Sequence, residues 1–295
     1  MSSRNFVPAP LTQLPWMIIL LVSAIGAFGL VVLYSAAGGS WQPWALNQGV
    51  RFGVLLAGAI LLSRVRETFW GSVALPVYGV LVLALVAVEL LGAISGGSQR
   101  WLDLGIIRLQ PSEFMKPFIV LACAKFYDLL PPGETRRFSA IWPAALLIGV
   151  PAALVMKQPD LGTALMITAG GITVVFLAGV PLRLFIGGAL ALGATVPLVV
   201  NYVLHDYQRN RILIFLDPES DPLGTGYHIS QSKIAIGSGG IFGKGFLNGT
   251  QSHLDYLPEG HTDFALATMM EEWGLLGGVL VIAAFLTIIF WGASV

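Results

Sequence analysis

Residues 16–36, WMIILLVSAIGAFGLVVLYSA, run 21 positions without a charged side chain. A helix rises about 1.5 Å per residue and satisfies its own backbone, so about 20 apolar residues match a hydrocarbon layer of about 30 Å. No basic segment stands close before a short apolar core, and no small-residue cleavage site follows. The run is therefore expected to be retained as a first transmembrane helix. The whole chain shares its character, with 56% hydrophobic and 11% charged residues, against about 25% charged in soluble domains. Lys plus Arg and Asp plus Glu both number 16, for a net charge of zero. That balance excludes the basic footprint of a nucleic-acid binder and a polybasic membrane patch. Cys123 is the one cysteine; it forbids an internal disulfide and reads as a small buried thiol in an apolar run.

Taking about 17 to 25 apolar residues per span, spans are expected near residues 16–36, 48–63, 70–93, 112–130, 140–156, 161–180, 183–204 and 272–292. The fold class is thus an all-α polytopic transmembrane bundle, forming one membrane domain over residues 1–295. Pro143 and Pro151 flank the fifth span, and Arg51 precedes the body of the second. Lys and Arg in short loops orient such a chain. With the N-terminus cytoplasmic, Arg4, Arg64, Arg66, Lys125, Arg136, Arg137 and Arg183 lie inside, and Arg51, Arg100, Arg108, Lys116 and Lys157 lie outside. The outside group offends the positive-inside rule and needs a reason. One long connection, residues 205–262, faces outside on this topology. Its many glycines point to short interfacial helices or re-entrant turns.

Polar chemistry gathers on that outer side. In RWLDLGIIRLQPSEFMKP, residues 100–117, Ser112 reads as a helix N-cap. Glu113 and Lys116 stand three apart on one face and can pair, with Arg100 and Arg108 adding positive charge. KQPDLGTA, residues 157–164, opens the sixth span with Asp160, where the helix dipole favours a carboxylate. GSGGIFGKG, residues 237–245, has Ser238 and Gly245 where a Walker A loop needs Gly and Ser or Thr, so nucleotide binding is rejected. It is left as a flexible membrane-surface turn, or a backbone nest for a lipid phosphate with Lys244 as point charge.

LDYLPEGHTDFALATMMEEWG, residues 254–274, holds five of the 16 carboxylates: Asp255, Glu259, Asp263, Glu271 and Glu272. Asp255 and Glu259 read as solvated loop residues. Asp263 follows His261 and Thr262 and enters an apolar run, either as a helix cap or as an ionisable group lining an outward-facing cavity. Gly274, Gly277 and Gly278 then permit close helix packing. A carboxylate at a membrane mouth among cations without evident partners suits reaction with a lipid-linked phosphate. The carboxylate takes a proton from a sugar hydroxyl, made a stronger base by burial, and Arg and Lys stabilise the departing pyrophosphate. Glycosyl transfer at the outer leaflet is that chemistry.

The segments RWLDLGIIRLQPSEFMKP, KQPDLGTA and GSGGIFGKGFLNGTQSHLDYLPEGHTDFALATMMEEWGLLG closely resemble the SEDS family (shape, elongation, division and sporulation). GTQSHLDYLPEGHTDF is closer to its rod-shape branch than to its division branch. The resemblance spans the chain in order. It implies a peptidoglycan glycosyltransferase that polymerises lipid II on undecaprenyl-pyrophosphate-linked glycan, beside a class B penicillin-binding protein that cross-links the strands. It implies that Asp263 is essential, and it assigns Glu113, Lys116 and Asp160 to family motifs; Asp255 stands where relatives often have glutamate. Asp263 is then the general base on the acceptor's GlcNAc 4-hydroxyl, with inversion at the donor carbon. Arg100, Arg108, Lys116 and Lys244 would hold the donor pyrophosphate, and His261 joins the substrate-binding set. A divalent cation, Mg2+ or Mn2+, is expected from the family, with no ligand spacing to locate it. The family usually has ten spans, so the last two are expected to be missing here. The rivals are a lipid II flippase, which needs ionisable residues at mid-membrane and has Glu89 as its candidate, and a non-catalytic scaffold for the penicillin-binding protein.

Overall fold

A computed structural model describes residues 14–95, 98–103, 105, 108–131, 133–202, 209, 214, 217, 224–254, 256, 257 and 260–294. Its helices are α1 Trp16–Ala36, α2 Trp44–Leu62, α3 Glu67–Leu91, α4 Pro111–Asp128, α5 Phe138–Lys157, α6 Leu161–Leu177, α7 Leu182–Tyr202, α8 Thr225–Ser238, α9 Thr250–His253 and α10 Ala265–Ser294. Each of the eight expected spans coincides with one of α1–α7 or α10. Residues 93–109, for which no strand was expected, contribute a small antiparallel sheet of β1 Ala93–Ser95, β2 Ser98–Asp103 and β3 Arg108–Leu109. Among the described residues the fold is therefore all-α apart from this patch.

Five helices, α1, α2, α3, α5 and α10, are long and apolar enough to cross a membrane. Many of their leucines are turned outward: Leu55 is 71% and Leu83 70% exposed. Such surfaces are stable in lipid, where apolar exposure carries no penalty. Pro143 and Pro151 lie within a continuous α5 and do not end it, as neighbouring helices allow in a membrane bundle. Glu89, the mid-membrane candidate of the transport reading, lies two residues from the end of α3.

The chain divides into two compact units, residues 65–197 and residues 1–64 with 198–295. In the first, α4 is the centre. Met115, Ile119, Ala122 and Cys123 on it are fully buried and meet Leu81 and Leu85 of α3, Ile148 and Val155 of α5 and Ile167 of α6. The Cys123 thiol is thus a core residue, as its apolar setting predicts. α4 carries four charges, Glu113, Lys116, Lys125 and Asp128, all near its ends. A helix enclosed by protein tolerates them where a lipid-facing one would not. Close approach of α6 to α5 requires Gly171, where a Cβ would run into the Ile148 side chain at 2.5 Å. Tyr78 Oη donates to the Leu147 carbonyl at 2.9 Å, tying α3 to α5. The helix starts at Pro111, whose fixed φ suits the first helical position. Ser112 is consequently inside the first turn and buried, not the cap it was expected to be.

In the second unit α1 packs against α2 and α10, and α8 packs on α10. Leu257, Ala235 and Ala267 form a small core beneath the turn that precedes α10, with Phe264 against it. The described part of the long connection is therefore structured, as α8, α9 and the turns between them.

Candidate active site

The site is built around a break in α10. Gly274 has φ 66° and ψ −165° inside that helix. A broken helix frees carbonyls before the break and N–H groups after it, and in a membrane span water cannot take them up. The glycine-rich turn takes them up instead. Lys244 and Gly245 N–H donate to the Glu271 and Glu272 carbonyls, both at 3.0 Å, and Leu275 and Leu276 N–H donate to the Gly240 and Ile241 carbonyls at 2.9 and 3.1 Å. The approach is backbone to backbone: a Cβ on Gly239 would strike the Met270 carbonyl, one on Gly243 the Glu272 carbonyl, and one on Gly274 the Gly243 nitrogen. Both readings of GSGGIFGKG are corrected by this contact. The turn is fastened rather than flexible, and the Lys244 and Gly245 amides are engaged by α10 rather than open to a phosphate.

The Lys244 side chain is engaged as well. Its Nζ lies 2.7 Å from Glu271 Oε1 and donates to Thr250 Oγ1 at 2.7 Å. Glu271 is 0% exposed, and its carboxylate also accepts from Thr250 Oγ1 at 3.1 Å and from the Gln251 N–H at 3.0 Å. A buried carboxylate is tolerated only with such a set of partners. Glu272, beside it, accepts a hydrogen bond from the Ser35 hydroxyl of α1. Sequence reasoning placed Glu271 and Glu272 in the acidic run but assigned them no partner. The signal was the recurrence of Gly239, Gly243 and Gly274, which marks two backbones in contact.

Asp263 stands in the turn immediately before α10. Its carboxylate is exposed, with no hydrogen-bond or ion-pair partner among the described residues. The expected burial is absent, because Phe264 and not Asp263 turns into the small core beneath. Two residues bracketing it, His261 and Ala265, line a groove of about 400 Å³ whose other walls are Phe28 and Leu33 of α1 and Phe52 of α2. The His261 ring stacks on Trp44, with centroids 3.8 Å apart and planes within 7°. Trp44 opens α2, so the stack fixes the turn's position against that helix. Asp255 lies outside the described residues.

The remaining expected site residues belong to the other unit, where each cation meets a carboxylate. Arg100 donates through Nε to the Gln158 carbonyl at 3.1 Å and through Nη2 to the Pro159 carbonyl, and its Nη1 lies 3.7 Å from Asp160. Asp160 caps α6, accepting from the Thr163 N–H at 3.2 Å and the Thr163 hydroxyl at 2.9 Å. Lys116 pairs with Glu113 at 2.8 Å and Arg108 with Asp103 at 3.5 Å. For Arg100, Arg108 and Lys116 the picture of cations without partners is thereby corrected: their carboxylates lie close in sequence or are brought close by the fold. Replacing Arg100 by Met should loosen β2 from the α5–α6 turn. Losing charge-assisted hydrogen bonds of this kind removes about 1.5–3 kcal/mol of stability, read as a fall in the midpoint of thermal unfolding in detergent. An unchanged midpoint would show that the contacts do not hold the turn.

Among the described residues no three His, Cys, Asp or Glu side chains come together as a metal site. Glu271 and Glu272, the adjacent buried carboxylates, face Lys244 and Ser35. The described residues do not by themselves compose a site for the expected cation.

A profile of FtsW/RodA/SpoVE cell cycle proteins matches residues 15–295. The peptidoglycan glycosyltransferase MrdB of Escherichia coli K12 is 41% identical over 281 residues, covering 94% of this chain and 74% of that protein. A probable peptidoglycan glycosyltransferase FtsW from Trichlorobacter lovleyi is 34% identical over 292 residues, covering 96% and 76%. Among solved structures, a chain from a peptidoglycan synthase complex, described for the coordination of polymerization and crosslinking, superposes with a TM-score of 0.75 at 34% identity, covering 92% of this chain and 75% of its own. The crystal structure of the rod shape determining protein RodA from Thermus thermophilus gives a TM-score of 0.64 at 29% identity, covering 93% and 72%.

Proposed function

The chain belongs to the FtsW/RodA/SpoVE family of cell cycle proteins, and on that premise we propose that it is a peptidoglycan glycosyltransferase that polymerises lipid II. The observation that carries the site is Asp263: an exposed carboxylate without a partner among the described residues, between two residues that line an apolar groove. In the reaction its carboxylate accepts the proton of the acceptor's GlcNAc 4-hydroxyl. The oxygen forms a bond to the donor's anomeric carbon as the bond from that carbon to the pyrophosphate breaks, with inversion. The proton resides on Asp263 and undecaprenyl pyrophosphate departs. An apolar groove suits the isoprenoid tail of such a substrate, and the His261–Trp44 stack holds the turn that presents the base. Protein groups already close to the base give it no competing hydrogen bond, so the substrate hydroxyl is free to take that place.

The proposal places the N-terminus in the cytoplasm and Asp263 on the outer face of the cytoplasmic membrane, which follows from the distribution of Lys and Arg. It assigns the chain to cell elongation, supported by the higher identity to MrdB, 41%, than to the FtsW relative, 34%. A class B penicillin-binding protein is the partner, by analogy with the synthase complex that the fold resembles. A divalent cation would arrive with the pyrophosphate, whose oxygens would supply most of its ligands. The test is polymerisation of labelled lipid II by the purified protein with its cognate penicillin-binding protein, the partner's transpeptidase blocked. Glycan strands longer than the substrate are expected. Their absence, with both proteins folded and associated, would remove the polymerase reading.

A further inference from the structure

We propose that Glu271, with Lys244 as its counter-ion, is a positioning residue for Asp263, anchoring the segment that carries it from both ends. This rests on Asp263 being the base. The upstream anchor runs through Gln251. Its N–H donates to Glu271 at 3.0 Å, and its own carbonyl accepts from the Tyr256 and Leu257 N–H groups, both at 3.1 Å. Leu257 is then 4% exposed against Ala235 and Ala267. The downstream anchor is α10 itself, which begins two residues after Asp263 and carries Glu271 on its next turns. Between them, Thr268 Oγ1 donates to the Gly260 carbonyl at 3.2 Å. Both ends of residues 254–264 therefore converge on one fully buried carboxylate. Lys244 reaches that carboxylate from the turn fastened to the α10 break, so the break, the turn and both described ends of the segment are tied to one carboxylate.

The alternative role for the pair is to make burial of each charge bearable and nothing more. The two roles separate in the double variant Lys244→Met with Glu271→Leu, which removes both charges together and so leaves neither one buried alone. If the pair only balances charge, the variant keeps its fold and its rate. If Glu271 anchors the segment, the fold persists but Asp263 loses its fixed place. A misplaced catalytic group lowers turnover more than substrate binding, and displacement by about 1 Å lowers rate on the order of 10²-fold.

The experiment measures hydrogen exchange over residues 254–264 and the kinetics of lipid II polymerisation, using the whole protein with its penicillin-binding partner. Expected for the double variant are faster exchange confined to that segment and a fall in kcat of about tenfold to 10²-fold, with KM within about twofold. Wild-type exchange and wild-type kcat would overturn the proposal. Faster exchange alongside a wild-type protein that makes no polymer would leave the anchor standing and remove the reading of Asp263 as base. Should the double variant fail to fold, Glu271→Gln preserves shape while weakening the charged hydrogen bonds. It is expected to move both readouts in the same direction by less, and no movement in either would overturn the proposal.

Discussion

Asp263→Asn is expected to abolish measurable glycan polymerisation while leaving the fold untouched. Asparagine matches the size of aspartate but cannot accept the hydroxyl proton, and removing a positioned general base lowers rate on the order of 10² to 10⁴-fold. The fold should not register the change, because the Asp263 carboxylate is exposed and has no partner among the described residues. The measurement is the rate of polymer formation from labelled lipid II at matched protein, with thermal unfolding in detergent as the control. A rate within about twofold of wild type would sink the assignment, since general-base catalysis contributes far more than that. A rate loss accompanied by a lowered midpoint would instead show that Asp263 supports the turn before α10.

Gly274→Ala is expected to be strongly destabilising. Its φ of 66° with ψ of −165° lies in a region open essentially to glycine alone, and forcing another residue there costs about 1–3 kcal/mol. The added Cβ would also meet the Gly243 nitrogen and the Ile241 carbonyl oxygen. Both are hydrogen-bonded backbone atoms, the Ile241 carbonyl accepting from the Leu276 N–H across the break and the Gly243 N–H donating to the Gly239 carbonyl within the turn, so neither can yield without freeing a polar group. The expected result is a protein that is not recovered folded from the membrane. Gly79→Ala in α3 is the matched control, since nothing lies within 4 Å of a Cβ there, and replacing a mid-helix glycine gains about 0.5–1 kcal/mol. Recovery of Gly274→Ala with a wild-type midpoint would show that the turn and α10 are not locked together.

The spans were legible because each needs only local information. Residues 16–36 announce a helix by length and apolarity alone, and α1 occupies those residues. The eighth expected span, 272–292, matches the part of α10 beyond the break; its first turns escaped because Glu271 and Glu272 lowered the apolar signal where they are in fact buried. α4 was legible for the same local reason, although its enclosure at the centre of its unit was not, because burial depends on what α3, α5 and α6 place around it. The strands of residues 93–109 were missed because they are short and carry no alternating pattern. Asp263 was legible as a carboxylate at a boundary between polar loop and hydrocarbon, whereas its exposure depends on Phe264 claiming the core beneath it.

By itself the sequence determined a membrane-embedded helical bundle, the order of its spans and the family to which it belongs, since hydrophobic length and motif wording are properties of contiguous residues. Tertiary structure alone decided the charge pairs between distant residues, whereas Glu113 and Lys116 pair at the spacing the sequence gives. Lys244 and Glu271 are 27 positions apart and Arg100 and Asp160 come from separate elements, so no local pattern could pair them. It also decided what the glycines of residues 237–245 are for. They admit one backbone against the broken turn of α10, and a need for hydrogen bonds created at residue 274 is met by residues 240–245.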